Sequence, residues 1–181
     1  AFIAADFLSQ AEHGVDSQAM LVTASESIVK PVMQAIREQL DRLPRKEITE
    51  KSLSHSRLIV LKDKQEVIDF TNLYAPEHLI IQTTDYADIA GQVENAGSVF
   101  MGPYTPESAG DYASGTNHTL PTNGYAKAYS GVNLDSFIKK ITFQEITADG
   151  IRLLGGTIRT MAANEQLDAH KNAVTIRLNT L

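Results

Sequence analysis

No cysteine occurs among the 181 residues. That removes disulfides, thiolate nucleophiles and cysteine-type zinc sites together, so any metal must be held by imidazole nitrogen and by carboxylate or amide oxygen. Tryptophan is also absent, and aromatic residues make up only 7%. Positive charge is scarce: 16 Lys and Arg stand against 22 Asp and Glu, leaving a formal charge of −6. The clustered basic surface that a nucleic-acid partner requires is therefore missing. No run approaches the roughly 18 apolar residues of a membrane-spanning helix. The opening Ala-Phe-Ile-Ala-Ala has neither the basic flank nor the length of a signal peptide, although a chain starting at Ala rather than Met reads as a piece of a longer one. Neither a P-loop, nor a G-x-G-x-x-G turn, nor an internal repeat is present. A soluble, cytoplasmic domain large enough to bury a core is expected.

What the chain does contain is organised around Thr105 to Pro121, TPESAGDYASGTNHTLP. This stretch carries one carboxylate among small residues, Asp111, and one imidazole seven positions on, His118. Thr105 can cap a short helix with Pro106 at its first position and Glu107 in its first turn, and Gly115 can end it. By itself the stretch also fits an ordinary polar surface loop.

Upstream, residues 2–14 show a helical stripe of Ile3, Phe7, Leu8 and Ala11 that stops at Gly14. Gln10 and His13 share a face of this helix, a spacing that can present an oxygen and a nitrogen to one metal but also fits a solvated helix end. Gln18 to Thr23 reads as a buried strand, and a helix follows from about Ser27 to Pro44, with Pro31 in its first turn. A polar linker over 45–56 leads to a second strand, Arg57 to Lys62, and to a helix through about Leu73 capped by Asp63 and Glu66. Glu77 and His78 stand at the mouth of a third strand that continues Leu-Ile-Ile, a place where α/β proteins tend to put chemistry. A helix over 85–95 and a fourth strand, Gly97 to Gly102, complete this part. Farther on, a short helix over 134–140, a strand over 141–146, and helices over 150–163 and 165–180 are expected. Glu165 and His170 fall at the start of the last.

The short β–α alternation implies a mainly parallel sheet. The expected fold is α/β: an incomplete Rossmann-like parallel sheet with helices on both faces, plus a C-terminal helical arm. The expected divisions are an α/β domain over 1–132, a connecting α+β segment over 133–163, and an arm over 164–181 of the kind that packs on a partner subunit.

Four sequence runs, LSQAEHG, APEHLII, GSVFMG followed by PESAGDYASGTNHTLPT, and LDAHKNAVTIRLN, together resemble the C-terminal part of histidinol dehydrogenase. The resemblance covers the whole chain in the family's order. It implies zinc ligands at Gln10, His13, Asp111 and His170, the same residues also contacting substrate. Glu77 and His78 match the catalytic pair, and His118 and Glu165 match residues that contact substrate. It further implies two NAD-linked oxidations of L-histidinol to L-histidine through the aldehyde, with zinc as template. The active site would be shared across a homodimer, because the arm bearing His170 crosses to the other subunit. The implied partners are L-histidinol, NAD, a second copy and an N-terminal half that carries the NAD contacts. A non-catalytic zinc-binding dimerisation module is the alternative, and a zinc hydrolase a more distant one, since no H-E-x-x-H spacing is present.

Overall fold

A computed structural model describes residues 1–181 and divides them into two units, residues 1–138 and 139–181. In the first unit, helix α1 (Phe2–Ala11) precedes strand β1 (Met20–Thr23). Helices α2 (Val29–Leu40) and α3 (Lys46–His55) follow, and then strand β2 (Arg57–Val60). Next come α4 (Lys64–Tyr74), β3 (His78–Ile81), α5 (Tyr86–Ala90), β4 (Ser98–Met101) and α6 (Glu107–Tyr112). The second unit is a pair of packed helices, α7 (Ala148–Asn164) and α8 (Asp168–Asn179).

The strands form two parallel pairs, β1 with β2 and β3 with β4. Met20 lies opposite Arg57 in one pair, and His78 opposite Ser98 in the other. Every residue of β1 and β3 lines one cleft of about 940 Å³. The parallel α/β expectation is met, with the sheet in two separate pieces.

Two apolar clusters hold the first unit. Ala4 and Leu8 of α1 meet Val32 and Ile36 of α2, while Ile68, Ile81 and Ile89 join α4, β3 and α5. Pro31 sits third in α2, inside the first turn, where its missing N–H costs nothing. Asp63 caps α4 by accepting from the Glu66 N–H, and the Glu66 carboxylate accepts from the Lys62 N–H, as the capping pair predicts.

Several expectations are corrected. The stretch 45–56 is helix α3 rather than a linker. Its buried face is made of hydroxyls: Thr49 and Ser52 are fully buried, Thr49 donating to the Arg45 carbonyl and Ser52 to that of Ser17. Ser56 Oγ, just beyond α3, accepts from the Ala19 N–H and donates to the Ser52 carbonyl. A hydrophobic stripe is thus replaced by side chains that satisfy backbone groups, which the apolar period cannot detect. The strand over 141–146 does not form; that segment is exposed and has no neighbouring strand to share a ladder. Helix α5 stops at Ala90, just before Gly91, and α1 at Ala11, with Glu12 as its C-cap and His13 in the turn beyond. Residues 134–137 form a 3-10 turn capped by Asn133.

Candidate active site

The turn after α1 keeps Gln10 and His13 together although His13 lies outside the helix, because the His13 N–H reaches the Gln10 carbonyl at 3.5 Å. Gln82 Nε2 donates to Asp6 Oδ2, tying α1 to the end of β3. Glu77 and His78 stand at the amino end of β3, opposite the carboxyl end where parallel sheets usually place ligands. Here β4 begins close against Glu77: the Gly97 N–H bonds the Pro76 carbonyl and the Ser98 N–H that of Glu77. A Cβ at Gly97 would stand 2.5 Å from the Glu77 carbonyl oxygen, so only glycine allows this approach.

Helix α6 supplies the facing wall. Glu107, Gly110 and Asp111 stand at i, i+3 and i+4 and share one face. Pro106 is the N-cap rather than the first helical residue, and Thr105, instead of capping α6, donates to the Met101 carbonyl. The helix ends at Tyr112, with Gly115 left-handed (φ +93°) in the loop beyond. A Cβ at Gly110 would lie 2.6 Å from Phe100 Cε1 and 2.8 Å from Thr116 Oγ1. The bare glycine lets α6 sit on the buried Phe100 ring, which in turn stacks beside the His78 imidazole at a centroid distance of 6.0 Å. Gly110→Ala should therefore lower stability by about 1–3 kcal/mol through overpacking, read as a drop in thermal midpoint.

At the centre is Glu107, only 2% exposed. Its Oε1 lies 3.5 Å from His78 Nε2 and 3.8 Å from His13 Nε2, and Ser9 Oγ donates to its Oε2 at 3.5 Å. Donor atoms of His78, Glu107 and Asp111 all lie within 4.8 Å of one another. The neighbouring Asp111 carboxylate helps to push the Glu107 carboxyl up, because two like charges this close disfavour each other. A divalent cation would offset that repulsion. Imidazole and carboxylate side chains gathered in this way, with His13 and Gln10 adjoining, provide nitrogen and oxygen atoms from which a zinc site can be drawn. Gln10 Nε2, His78 Nε2 and Glu107 Oε1 are buried without hydrogen-bond partners, as polar atoms awaiting a ligand would be.

Burial is the largest influence on the titration of the three groups. It pushes the Glu77 carboxyl up, helped by Asp111 and opposed by His13. It pushes the Glu107 carboxyl up, again helped by Asp111. It pushes the His78 imidazole down against the pull of Asp111, so His78 is neutral at neutral pH. Both glutamates thus favour folding fully below their unfolded value of about 4.5 and lose that contribution as pH rises through their raised folded values. For His78 the sign reverses: its contribution is present above 6.5 and is lost as pH falls. Glu107→Gln should flatten the pH dependence of the metal-free protein's thermal midpoint on the side above the ordinary carboxyl value of 4.5, as followed by circular dichroism.

Of the residues singled out from sequence, Gln10, His13, Glu77, His78 and Asp111 belong to this neighbourhood. His118 is exposed in the loop after α6 and outside the close donor group. Glu165, the C-cap of α7, and His170, in the first turn of α8, are exposed residues of the second unit. Glu107 was missed as a site residue. Its i to i+4 relation to Asp111 was the available signal, but a glutamate in a helix's first turn is also an ordinary dipole partner.

The fold and the site together define an α/β protein with a cluster of imidazoles and carboxylates, partly withdrawn from solvent, of the kind that holds a divalent cation. A family model for histidinol dehydrogenase matches residues 1–178, and the chain belongs to that family. It is 67% identical over 180 residues to histidinol dehydrogenase of Bacteroides thetaiotaomicron, covering 99% of this chain and 42% of that protein. It is 56% identical over 181 residues to the chloroplastic histidinol dehydrogenase of Arabidopsis thaliana, covering 99% of this chain and 39% of that protein. The crystal structure of histidinol dehydrogenase from Elizabethkingia anophelis superposes with a TM-score of 0.93 at 55% identity, over 99% of this chain and 41% of that one. The chain thus spans about two fifths of the length of the relatives it matches.

Proposed function

We propose that this chain is the C-terminal, chemistry-bearing portion of an enzyme that oxidises L-histidinol to L-histidine in two NAD-linked steps, the end of histidine biosynthesis. The observation that carries the reading is the pairing of a neutral, buried His78 with a half-buried Glu77 against the α6 carboxylates, in a chain that matches the family almost end to end.

In the proposed site, Gln10, His13 and Asp111, with His170 of the partner subunit, would hold zinc, which when bound would supply a Lewis-acidic anchor that orients the substrate. His78 takes the hydroxyl proton as a hydride leaves the carbinol carbon for NAD, giving the aldehyde. Glu77 then takes a proton from water as its oxygen adds to the aldehyde carbon, while the protonated His78 gives its proton to the aldehyde oxygen, so that the hydrate forms and His78 is neutral again. The hydrate loses a second hydride to a second NAD, its hydroxyl proton passes to His78, and the carboxylic acid formed ionises. The raised Glu77 carboxyl is a stronger base than an exposed one, and the lowered His78 imidazole is already deprotonated. His118 and Glu165 are assigned to substrate contact.

The open edges of β1 and β3 along one cleft support a fold completed by further sequence, the N-terminal half, which also carries the NAD contacts. The 164–181 arm is assigned to exchange in a homodimer. No helix is long and apolar enough to cross a membrane, and a cytoplasmic enzyme is proposed. NADH formation from L-histidinol at 340 nm tests the reading. The full-length protein should form two NADH per histidinol, and this chain alone, with zinc, little or none. Zinc binding without histidinol binding or turnover in the full-length protein would instead indicate a non-catalytic module.

A further inference from the structure

Glu107 is the most buried charged side chain of the site, yet the ligand set and catalytic pair proposed above leave it without a task. Ser9 occupies Oε2, which leaves Oε1 facing the imidazoles of His78 and His13. Of the two, the His78 side chain is closer and only 9% exposed, whereas that of His13 is 53% exposed. Glu107 Oε1 and His78 Nε2 are each buried and each lack a hydrogen-bond partner, 3.5 Å apart. A shift of a few tenths of an ångström closes that gap into a charge-assisted bond. Phe100 stacks beside the same imidazole, so the ring has one wall and one polar anchor. Burying a carboxylate is costly unless its oxygens are satisfied, and the nearest donor to Oε1 is the His78 N–H.

We propose that Glu107 is a positioning residue for His78: its Oε1 accepts from Nε2–H and fixes the imidazole in the Nε2–H tautomer, leaving Nδ1 as the nitrogen that takes the substrate proton. The proposal rests on the reading of His78 as the base, and adds the atom that does the work and the group that selects it. The neutral imidazole has one donor and one acceptor nitrogen, so anchoring one determines the role of the other. Orienting carboxylates of this kind act through the histidine they hold and need not touch substrate.

The test uses the full-length protein labelled with 15N-histidine. Long-range 15N–1H correlations should show His78 as the Nε2–H tautomer in the wild type and as a mixture in Glu107→Ala. Glu107→Gln, whose amide oxygen still accepts, should keep the wild-type pattern. The Glu107→Ala change should lower kcat for histidinol oxidation by about 100-fold, with KM and zinc content within roughly twofold, and Glu107→Gln should recover to within roughly tenfold of wild type. In a His78→Ala background, Glu107→Ala should cost less than roughly twofold, because its effect passes through His78. Glu107→Asp, which withdraws the carboxylate by one methylene, should show the same tautomer mixture if the alanine variant does not fold.

An Nδ1–H tautomer in the wild type overturns the proposal. So does a tautomer unchanged in both Glu107→Ala and Glu107→Asp, a full loss of activity that persists without His78, or zinc loss as the main effect. If the wild type forms no NADH, the dehydrogenase reading fails while the tautomer measurement still decides the role of Glu107.

Discussion

His78→Ala should lower kcat of the full-length protein by about 10²–10⁴-fold, the range expected for loss of a general base, while histidinol still binds. Glu77→Gln should divide the reaction. Oxidation of the alcohol continues, because His78 and the cation centre are intact, but oxidation of the aldehyde falls by a similar factor because no carboxylate activates water. Stopped-flow measurement should then register one NADH per site rapidly and the second slowly, with aldehyde trapped by semicarbazide. Equal loss of both steps in Glu77→Gln would remove Glu77 from the water-activating role. The distinction is physical: the two side chains are neighbours in sequence, but burial moves their titration in opposite directions, His78 down and Glu77 up. Each is thereby brought toward a different protonation task.

Activity should also be recoverable from two dead proteins. His78→Ala damages the site on the subunit that carries β3. His170→Ala damages whichever site receives the second unit's helix α8. If that helix serves the partner subunit, a heterodimer of the two variants contains one site with both defects and one with neither. Unfolding and refolding an equal mixture should therefore restore about one quarter of wild-type activity, from half the dimers being mixed and half their sites intact. Each variant refolded alone should stay inactive. No recovery in the mixture would mean that His170 serves its own subunit or no site. Zinc analysis adds a check: His170→Ala should lose metal without a change in the far-ultraviolet spectrum.

Most elements of the first unit were legible because they follow simple periods. The stripe of α2, the Asp63–Glu66 cap of α4 and the apolar runs of β1 and β3 each announce themselves. Helix α3 did not, because its buried face is Thr49 and Ser52, small hydroxyl residues whose role appears only when the Ser17 and Arg45 carbonyls are beside them. The segment 141–146 made the opposite error possible: alternation suggested a strand, but a strand needs a neighbour, and none is in the chain at that place. Glu77, His78 and Asp111 stood out in the sequence by type and context, and the structure brings them into one neighbourhood. Glu107 was not, since a carboxylate in a first helical turn usually faces water.

The order of residues by itself determined the absence of thiol chemistry, the parallel α/β plan and the family, because composition, periodicity and extended motifs are properties of the chain alone. Only the tertiary structure decided that Glu107 is buried between two imidazoles and Asp111, and that Gly110 and Gly97 are where elements meet most closely. Those facts depend on which residues from distant parts of the chain come within a few ångströms, and desolvation and charge coupling have no meaning until that distance is known.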